Sequence, residues 1–251
     1  MIGHLNRVRA AIVALTMAVP LLPSPSAAQG SGEGFLFKQP VFQVGIRGGY
    51  NLSAAGGGVL DHARDQLTLG KRDFDGSAWG LELAARVRER MDVSLDVRFT
   101  KSQRDSEMRD WVDLDDLPIE QTTSFTRVPI SLNAKFYLAD RGRGISEFVW
   151  IPEKWAPFVG AGGGFTWYEF GQKGDFVDVS TLDILYFALK SSGWAPSGHV
   201  FAGVDISMSP RLFWTLEGRY GFGGADTSAA FAFDQIDVSG LQATIGLSAR
   251  F

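Results

Sequence analysis

The residues of this chain that could carry out chemistry are few and far apart in the sequence. His199 falls on a segment that we predict to be a strand, and it could act as a general base. His62 lies with Asp61 and Asp65 in a polar stretch, and His62 and His199 alone make no zinc site. The chain contains no cysteine, which excludes disulfides, thiolate metal sites and a nucleophilic thiol. We therefore expect neither a metal nor a cofactor.

A glycine-rich run superficially suggests a phosphate-binding loop. It comprises Gly160, Gly162, Gly163 and Gly164. Such a loop needs a helix behind it to direct backbone amides at the phosphate, whereas residues 165–170 continue as a strand. The run therefore favours glycines that let a sheet curve or that make room inside it.

An acidic stretch at 105–116 could collect divalent cations. Its carboxylates are Asp105, Glu107, Asp110, Asp113, Asp115 and Asp116, and it also holds Arg109. The spacing matches no EF-hand, so the stretch is interpreted as a solvated acidic loop.

Eight segments show the two-residue alternation of apolar and polar side chains that is typical of strands. They are residues 41–51, 77–88, 92–103, 122–138, 156–170, 194–208, 212–222 and 241–251. The connections 52–76, 104–118, 171–193 and 223–233 are long, whereas 89–91 and 209–211 are tight turns. The connection 139–155 falls on the side of the tight turns, and its sequence does not explain its length.

The last segment, 241–251, needs a partner strand. An unpaired, half-apolar edge invites pairing with other chains, and the first strand of the same sheet is the simplest partner. The chain therefore predicts an all-β fold, an eight-stranded antiparallel up-and-down transmembrane β-barrel. Short turns at one end and long loops at the other are typical of outer-membrane barrels.

The apolar face is predicted to contact lipid because its aromatic side chains fall at two levels, as in interfacial girdles. One level holds Tyr50, Trp79, Trp167, Trp194 and Tyr220, and the other holds Phe42, Phe136, Trp214 and Phe251. The polar face is rich in Gly, Ser and Thr and carries charges of both signs, as a narrow lumen requires. We predict a lumen charge network of Arg47, Glu82, Arg86, Asp96, Arg98, Glu217 and Arg219.

Residues 1–28 have the layout of a secretory signal peptide, with an apolar run at 10–22 and small residues before a cut at Gln29. The barrel domain is then 29–251. No later segment is long and apolar enough for a membrane helix. The formal net charge of −4 is dispersed, so no nucleic-acid partner is expected.

Four segments resemble the small eight-stranded outer-membrane barrels of the outer membrane protein A, W and X class. They are VPISLNAKFYL at 128–138, PFVGAGGGFTWY at 157–168, LEGRYGF at 216–222 and GLSARF at 246–251. The resemblance implies a monomer in a bacterial outer membrane, in contact with lipids and lipopolysaccharide. It also implies that the barrel assembly machinery reads the C-terminal strand and Phe251. We expect no peptidoglycan-binding domain after the barrel.

The resemblance leaves three functions open. The favoured one is a non-enzymatic structural or surface-interaction role, with at most a narrow conduit for small solutes. The alternatives are a transporter of small hydrophobic molecules of the outer membrane protein W kind and a lipid-modifying enzyme, such as a lipid A deacylase or acyltransferase. A deacylase-like arrangement would place a serine two residues after His199, where Phe201 stands, so a hydrogen-bonded lumen histidine is favoured. For the lumen charges, a plug is favoured over a gate.

Overall fold

The computed structural model describes residues 34–113, 115–146, 148–178, 181, 183–232 and 234–251. The predicted signal peptide, 1–28, and the predicted first mature residue, Gln29, lie outside these ranges. Within them, eight antiparallel strands form a closed ring. In ring order the strands are β1 (Phe42–Ser53), β2 (Gly76–Arg88), β3 (Met91–Val112), β4 (Pro118–Tyr137), β7 (Trp155–Val177), β8 (Ile184–Ser207), β9 (Leu212–Asp226) and β11 (Gly240–Arg250).

The ring closes between β11 and β1, which confirms the predicted partner of the last segment. Their pairing runs from Gln43 opposite Arg250 to Ser53 opposite Gly240. The ladder continues past the last strand, since the Phe251 amide donates to the Phe42 carbonyl at 2.8 Å. Closure leaves neither strand with an unpaired edge along this ladder, which removes the hazard of pairing with other chains.

The alternation along each strand separates two chemically opposite faces. Outward side chains are apolar and exposed, for example Ile46 at 62%, Trp79 at 63% and Leu132 at 62%. Inward side chains are polar and buried, for example Asp96 at 1% and Arg98 at 2%. This is the reverse of a water-soluble protein, in which large exposed apolar surfaces are rare.

Several strands extend well beyond the predicted bounds at the end that carries the long loops, here called the loop end. Most of the predicted loops 104–118 and 171–193 is strand, because β3 and β4 turn only between Val112 and Pro118, and β7 and β8 only between Val177 and Ile184. We attribute the difference to the surroundings of these extensions. Beyond a bilayer the outward face meets water as well, so the ladder persists while the two-residue alternation of apolar and polar side chains fades.

The predicted loop 52–76 contains a helix, α1 (Gly58–Gln66), and a 3₁₀ turn (Lys71–Phe74), so the expectation of a loop without a helix was wrong here. The buried residues Val59, Leu60 and Ala63 of α1 lie on one helix face. They pack in an apolar cluster, the loop-end cap, whose buried members are Ala55, Val59, Leu60, Ala63, Leu67, Leu69, Phe74, Phe125, Tyr168, Phe170, Ala195 and Ile236. No helix within the described ranges is long and apolar enough to cross a membrane.

The predicted loop 223–233 is shorter than expected. Strand β9 runs to Asp226, a 3₁₀ turn covers Ala229–Phe231, and β10 (Gln235–Asp237) pairs with the end of β9. Ile236 of β10 is buried in the loop-end cap.

The connection 139–155 lies at the other end of the barrel, the turn end, and forms a hairpin of β5 (Gly142–Ser146) and β6 (Val149–Pro152). Trp150 is buried, and its amide and carbonyl both bond to Leu36 at 2.8 Å. The length of this connection therefore builds a hairpin that also holds the segment before β1.

Candidate functional site

The middle of the lumen holds a network of ion pairs, in which Arg47 joins two carboxylates. Its guanidinium donates to Glu82 of β2 through Nη2 and to Glu217 of β9 through Nη1. Arg47 can lie against the intervening strand β11 because it faces Gly246, where an added Cβ would come within 2.7 Å of the Arg47 Cγ. A buried charge is tolerated when it is paired and hydrogen-bonded, and Arg47 has two carboxylate partners.

Two further arginines complete this network. Arg98 binds Asp96 through Nε at 2.8 Å and Glu217 through Nη2 at 2.7 Å, and Nη1 donates to Gln242. Arg219 binds Glu217 at 3.1 Å and Asp96 at 3.5 Å. Glu217 thus accepts from three arginines, which places a carboxylate at the centre of the cluster.

The structure brings together all but one of the predicted network residues. Arg86 stands apart, near the turn end and opposite Asp92 in the β2–β3 ladder. Asp92 pairs instead with Arg141, and Nη1 of Arg86 has no hydrogen-bond partner among the described residues. Placing Arg86 in the network was therefore wrong, because a residue from the 139–155 connection occupies its nearest carboxylate.

A second buried cluster in the lumen is built around Asp205. Lys135 pairs with Asp205 at 2.9 Å, and the Tyr137 and Thr215 hydroxyls each donate to Asp205 at 2.8 Å. The Lys135 ammonium also lies 3.8 Å from the centroid of the Phe158 ring, a cation–π contact. Asp205 therefore accepts from three side chains, so its charge is fully engaged.

The turn end is closed by the hairpin connection. Arg141 pairs with Asp92 at 2.7 Å and donates to the Glu89 carbonyl at 3.2 Å. The Arg250 guanidinium lies over the rings of Trp150, at 5.6 Å, and Phe213, at 4.4 Å. Together with the loop-end cap and the two ionic clusters, these contacts place packed or ion-paired side chains at three levels of the lumen.

His199 faces the lumen and is bound to the wall. Its Nε2 lies 2.8 Å from Oδ1 of Asn133, while Nδ2 of Asn133 donates to the Ser94 hydroxyl at 3.2 Å. The amide oxygen of Asn133 is an acceptor, so this hydrogen bond uses the tautomer of His199 that is protonated at Nε2. His199 and Asn133 meet across Gly162, where an added Cβ would come within 2.2 Å of the Asn133 oxygen. This glycine of the run thus makes room inside the barrel.

The nine predicted girdle residues all have side chains on the outward face. Eight are exposed, at 38–63%, and Trp167 is partly buried. Trp167 is paired directly with Trp194 across β7 and β8, and the Trp79 ring lies over Gly48. Trp155, which was not predicted, is exposed at the turn end of β7. Assignment of these rings to two lipid interfaces remains a prediction.

The remaining candidates lie at the loop end. His62 is exposed on α1. In the acidic stretch, Asp105 accepts from Thr122 and Asp113 accepts the amides of Asp115 and Leu117. Within the described ranges, no group of three or more His, Asp or Glu side chains is arranged to hold a metal.

Asp92 and Arg141, which are buried and close the lumen at the turn end, were not predicted for it. Arg127 and Gln242, also buried, lie on the polar face that the alternation of their strands predicted to line the lumen. Arg141 lies outside the barrel strands, where no periodicity applies.

The observation that decides the class of fold is that the two faces of the closed barrel wall are chemically opposite. The inward face is charged and engaged in ion pairs, and the outward face is a continuous apolar surface with exposed rings. With its flank apolar between the turn end and the loop-end extensions, such a wall is solvated by lipid. The fold is that of a small outer-membrane β-barrel.

Comparisons with known proteins find likeness only among solved structures. No protein-family model matches the sequence, and no curated protein matches it. Neisserial surface protein A is similar over 84% of this chain and 97% of its own, with 11% identity and a TM-score of 0.46. The E. coli outer membrane protein W is similar over 85% of this chain and 99% of its own, with 17% identity and a TM-score of 0.38. A major outer membrane protein from Thermus thermophilus is similar over 84% and 99%, with 11% identity and a TM-score of 0.40.

Proposed function

We propose that this protein is a sealed outer-membrane barrel without catalytic activity, which acts at the cell surface through its loop end. The observation that carries the proposal is the presence of packed or ion-paired side chains at three levels of the lumen. An eight-stranded barrel leaves an interior only wide enough for side chains, and here those side chains are paired with one another.

The three levels use different interactions. Breaking the contacts at one level would therefore leave the lumen closed at the other two. The loop-end cap is an apolar core around α1. The middle is held by the ion pairs of Glu217 and Asp205. The turn end is held by Arg141 and Trp150. This arrangement supports a plug over a conduit for solutes.

At the loop end the barrel wall is long enough to extend to the cell surface, as a surface role requires. A membrane strand needs about 9–11 residues to cross a bilayer, whereas β7 has 23 and β8 has 24. The surplus extends the wall beyond the apolar band. At its tip, Leu185, Tyr186 and Phe187 are exposed next to one another, and clustered exposed apolar side chains mark contact sites.

We further propose the partners that the outer membrane would supply. The outward apolar face would contact lipid acyl chains, and the loop end would meet lipopolysaccharide. Phe251, at the end of the closing strand, is 57% exposed, which supports a role as the residue that the barrel assembly machinery reads. The ladder is complete within one chain, which supports a monomer.

Planar-bilayer recordings test the sealed lumen. The folded protein should insert and give no steady conductance, and vesicles that contain it should not release a small dye. A large porin, reconstituted in the same way, is the positive control. Steady single-channel currents from the unmodified protein would overturn the plug and favour the conduit or the transporter.

Cell partitioning into hexadecane tests the surface role. Bacteria that express the protein should partition more than bacteria with Leu185→Ser, Tyr186→Ser and Phe187→Ser combined. Lys190→Ser, on the same extension and with an exposed side chain, is the matched control and should behave as the unmodified protein. Equal partitioning of all three strains at equal surface abundance would contradict a contact role for this tip.

A further inference from the structure

Arg127 is a buried cation for which the described residues provide no carboxylate partner within ion-pair distance. It lies on β4 and is 3% exposed. Its Nη1 donates to the Ser53 hydroxyl at 3.2 Å and its Nη2 to the Phe74 carbonyl at 3.3 Å. Both acceptors are neutral, and Nε has no partner. A buried guanidinium without a counter-charge is costly, unlike Arg47, Arg98 and Arg219 of the central network.

A cavity of about 70 Å³ lies beside Arg127, between the central network and the loop-end cap. The donors on its wall include Arg127, Arg98, Arg219, His199, Asn51 and Gln242. Among the described residues, no Asp or Glu lines it. The charged side chains that line the cavity are therefore all cationic.

Two more donors on this wall are unpartnered. Nη2 of Arg219 and Nδ2 of Asn51 have no hydrogen-bond partner in the part of the chain that the structure describes, although Arg219 is 6% and Asn51 is 8% exposed. Buried donors are normally satisfied by protein or ordered water. With Nε of Arg127, three unsatisfied donors on three different strands line one cavity.

The nearby carboxylates are engaged by other donors. Glu217 and Asp96 are engaged by the arginines of the central network. Asp75 and Asp237, whose charges act on Arg127, form no ion pair with it, and each accepts a backbone amide, of Ser53 and Ser239 respectively. Water could satisfy the free donors, but an anion would also give Arg127 the counter-charge that it lacks at ion-pair distance.

We propose that this cavity is a binding site for one small inorganic anion, a halide or a tetrahedral oxyanion such as phosphate. A water needs at least about 10–15 Å³ of such space, so the cavity holds a single small anion with a few waters and excludes larger solutes. The anion would join β1, β4 and β9 across the lumen and lock the central network to the loop-end cap. The site does not depend on the surface role, and recordings of conductance test the seal separately.

Bromide tests the site because it is an anion that can be located by anomalous scattering. The protein is refolded in sodium bromide and crystallised from it, so that the anion can enter before the barrel closes. The expected result is an anomalous peak in the cavity within hydrogen-bond distance of Nε of Arg127. A cavity that contains only water in such crystals, with bromide elsewhere or absent, would overturn the proposal.

Thermal unfolding in detergent provides a second readout that needs no crystal. The unfolding midpoint should rise saturably with bromide or phosphate when compared with sodium gluconate at equal ionic strength. Arg127→Met should abolish that rise, and Arg86→Met, an arginine that does not line the cavity, should retain it. If Arg127→Met does not fold, the unmodified protein still tests the proposal. An unfolding midpoint that is equal in bromide, phosphate and gluconate would contradict the site.

Discussion

Arg141, in the connection between β4 and β5, forms an ion pair at 2.7 Å with Asp92, the second residue of β3. The Asp92 side chain is fully buried, and Gln43 of β1 also donates to it at 2.8 Å. One carboxylate therefore joins the hairpin connection to two barrel strands. This contact accounts for a long connection on the side of the barrel where tight turns are expected.

Arg141→Ala should destabilise the barrel strongly. Removing one partner of a buried ion pair leaves the other charge uncompensated, which costs about 3–5 kcal/mol. The free energy of unfolding in urea, measured in lipid vesicles, checks the value. The neighbouring Arg90–Asp140 pair is exposed, and Arg90→Ala should cost less than about 1 kcal/mol. Equal effects of the two substitutions would show that Arg141 does not seal the turn end.

Gly162→Ala should be far more damaging than Gly163→Ala. The new Cβ at position 162 would lie 2.2 Å from Oδ1 of Asn133 and 2.7 Å from Nε2 of His199, and such overpacking costs about 1–3 kcal/mol. Position 163 faces outward, and its nearest contact would be an ordinary 3.6 Å. Unfolding midpoints of the two variants measure the difference. An equal loss of stability in both variants would mean that Gly162 does not face the lumen.

Replacing His199 should affect stability and leave lipid chemistry unchanged. His199→Ala removes the hydrogen bond to Asn133, a loss of about 1 kcal/mol. Mass spectra of lipid A should be identical for cells with the unmodified protein, cells with His62→Ala and His199→Ala combined, and cells without the protein. A change in acyl-chain content that requires either histidine would instead support the lipid-modifying enzyme.

The sequence predicted the barrel because the environment of each wall strand is periodic. Lipid on one side and lumen on the other force strict alternation, as in Leu241, Ala243 and Ile245, and alternation also assigns Glu217 and Arg47 to one interior. The strand extensions and α1 were not predicted, because the alternation that lipid and lumen impose ends where the bilayer ends. In α1 a helical signal was present, since Val59, Leu60, Ala63 and Leu67 recur at helical spacing, but it is short and lies among polar residues.

Side-chain partners could not be predicted at the same level. Alternation places Arg86 and Arg98 on the same face, and only the three-dimensional positions separate Arg98, within reach of Glu217, from Arg86, whose opposite carboxylate is taken by Arg141. The choice depends on a residue 55 positions away in the chain, as the numbering shows. Non-local competition of this kind leaves no local pattern.

Site-directed spin labelling tests the inside-out wall most directly, because the chain has no cysteine to remove. Labels would be placed singly at Leu132, which is outward and 62% exposed, and at Tyr186, which is 60% exposed on the loop-end extension. In vesicles, the label at Leu132 should be relaxed by oxygen, which concentrates in lipid, and not by a water-soluble nickel complex. The label at Tyr186 should show the opposite preference. Access of the nickel complex to the label at Leu132 equal to that at Tyr186 would contradict a lipid-facing wall.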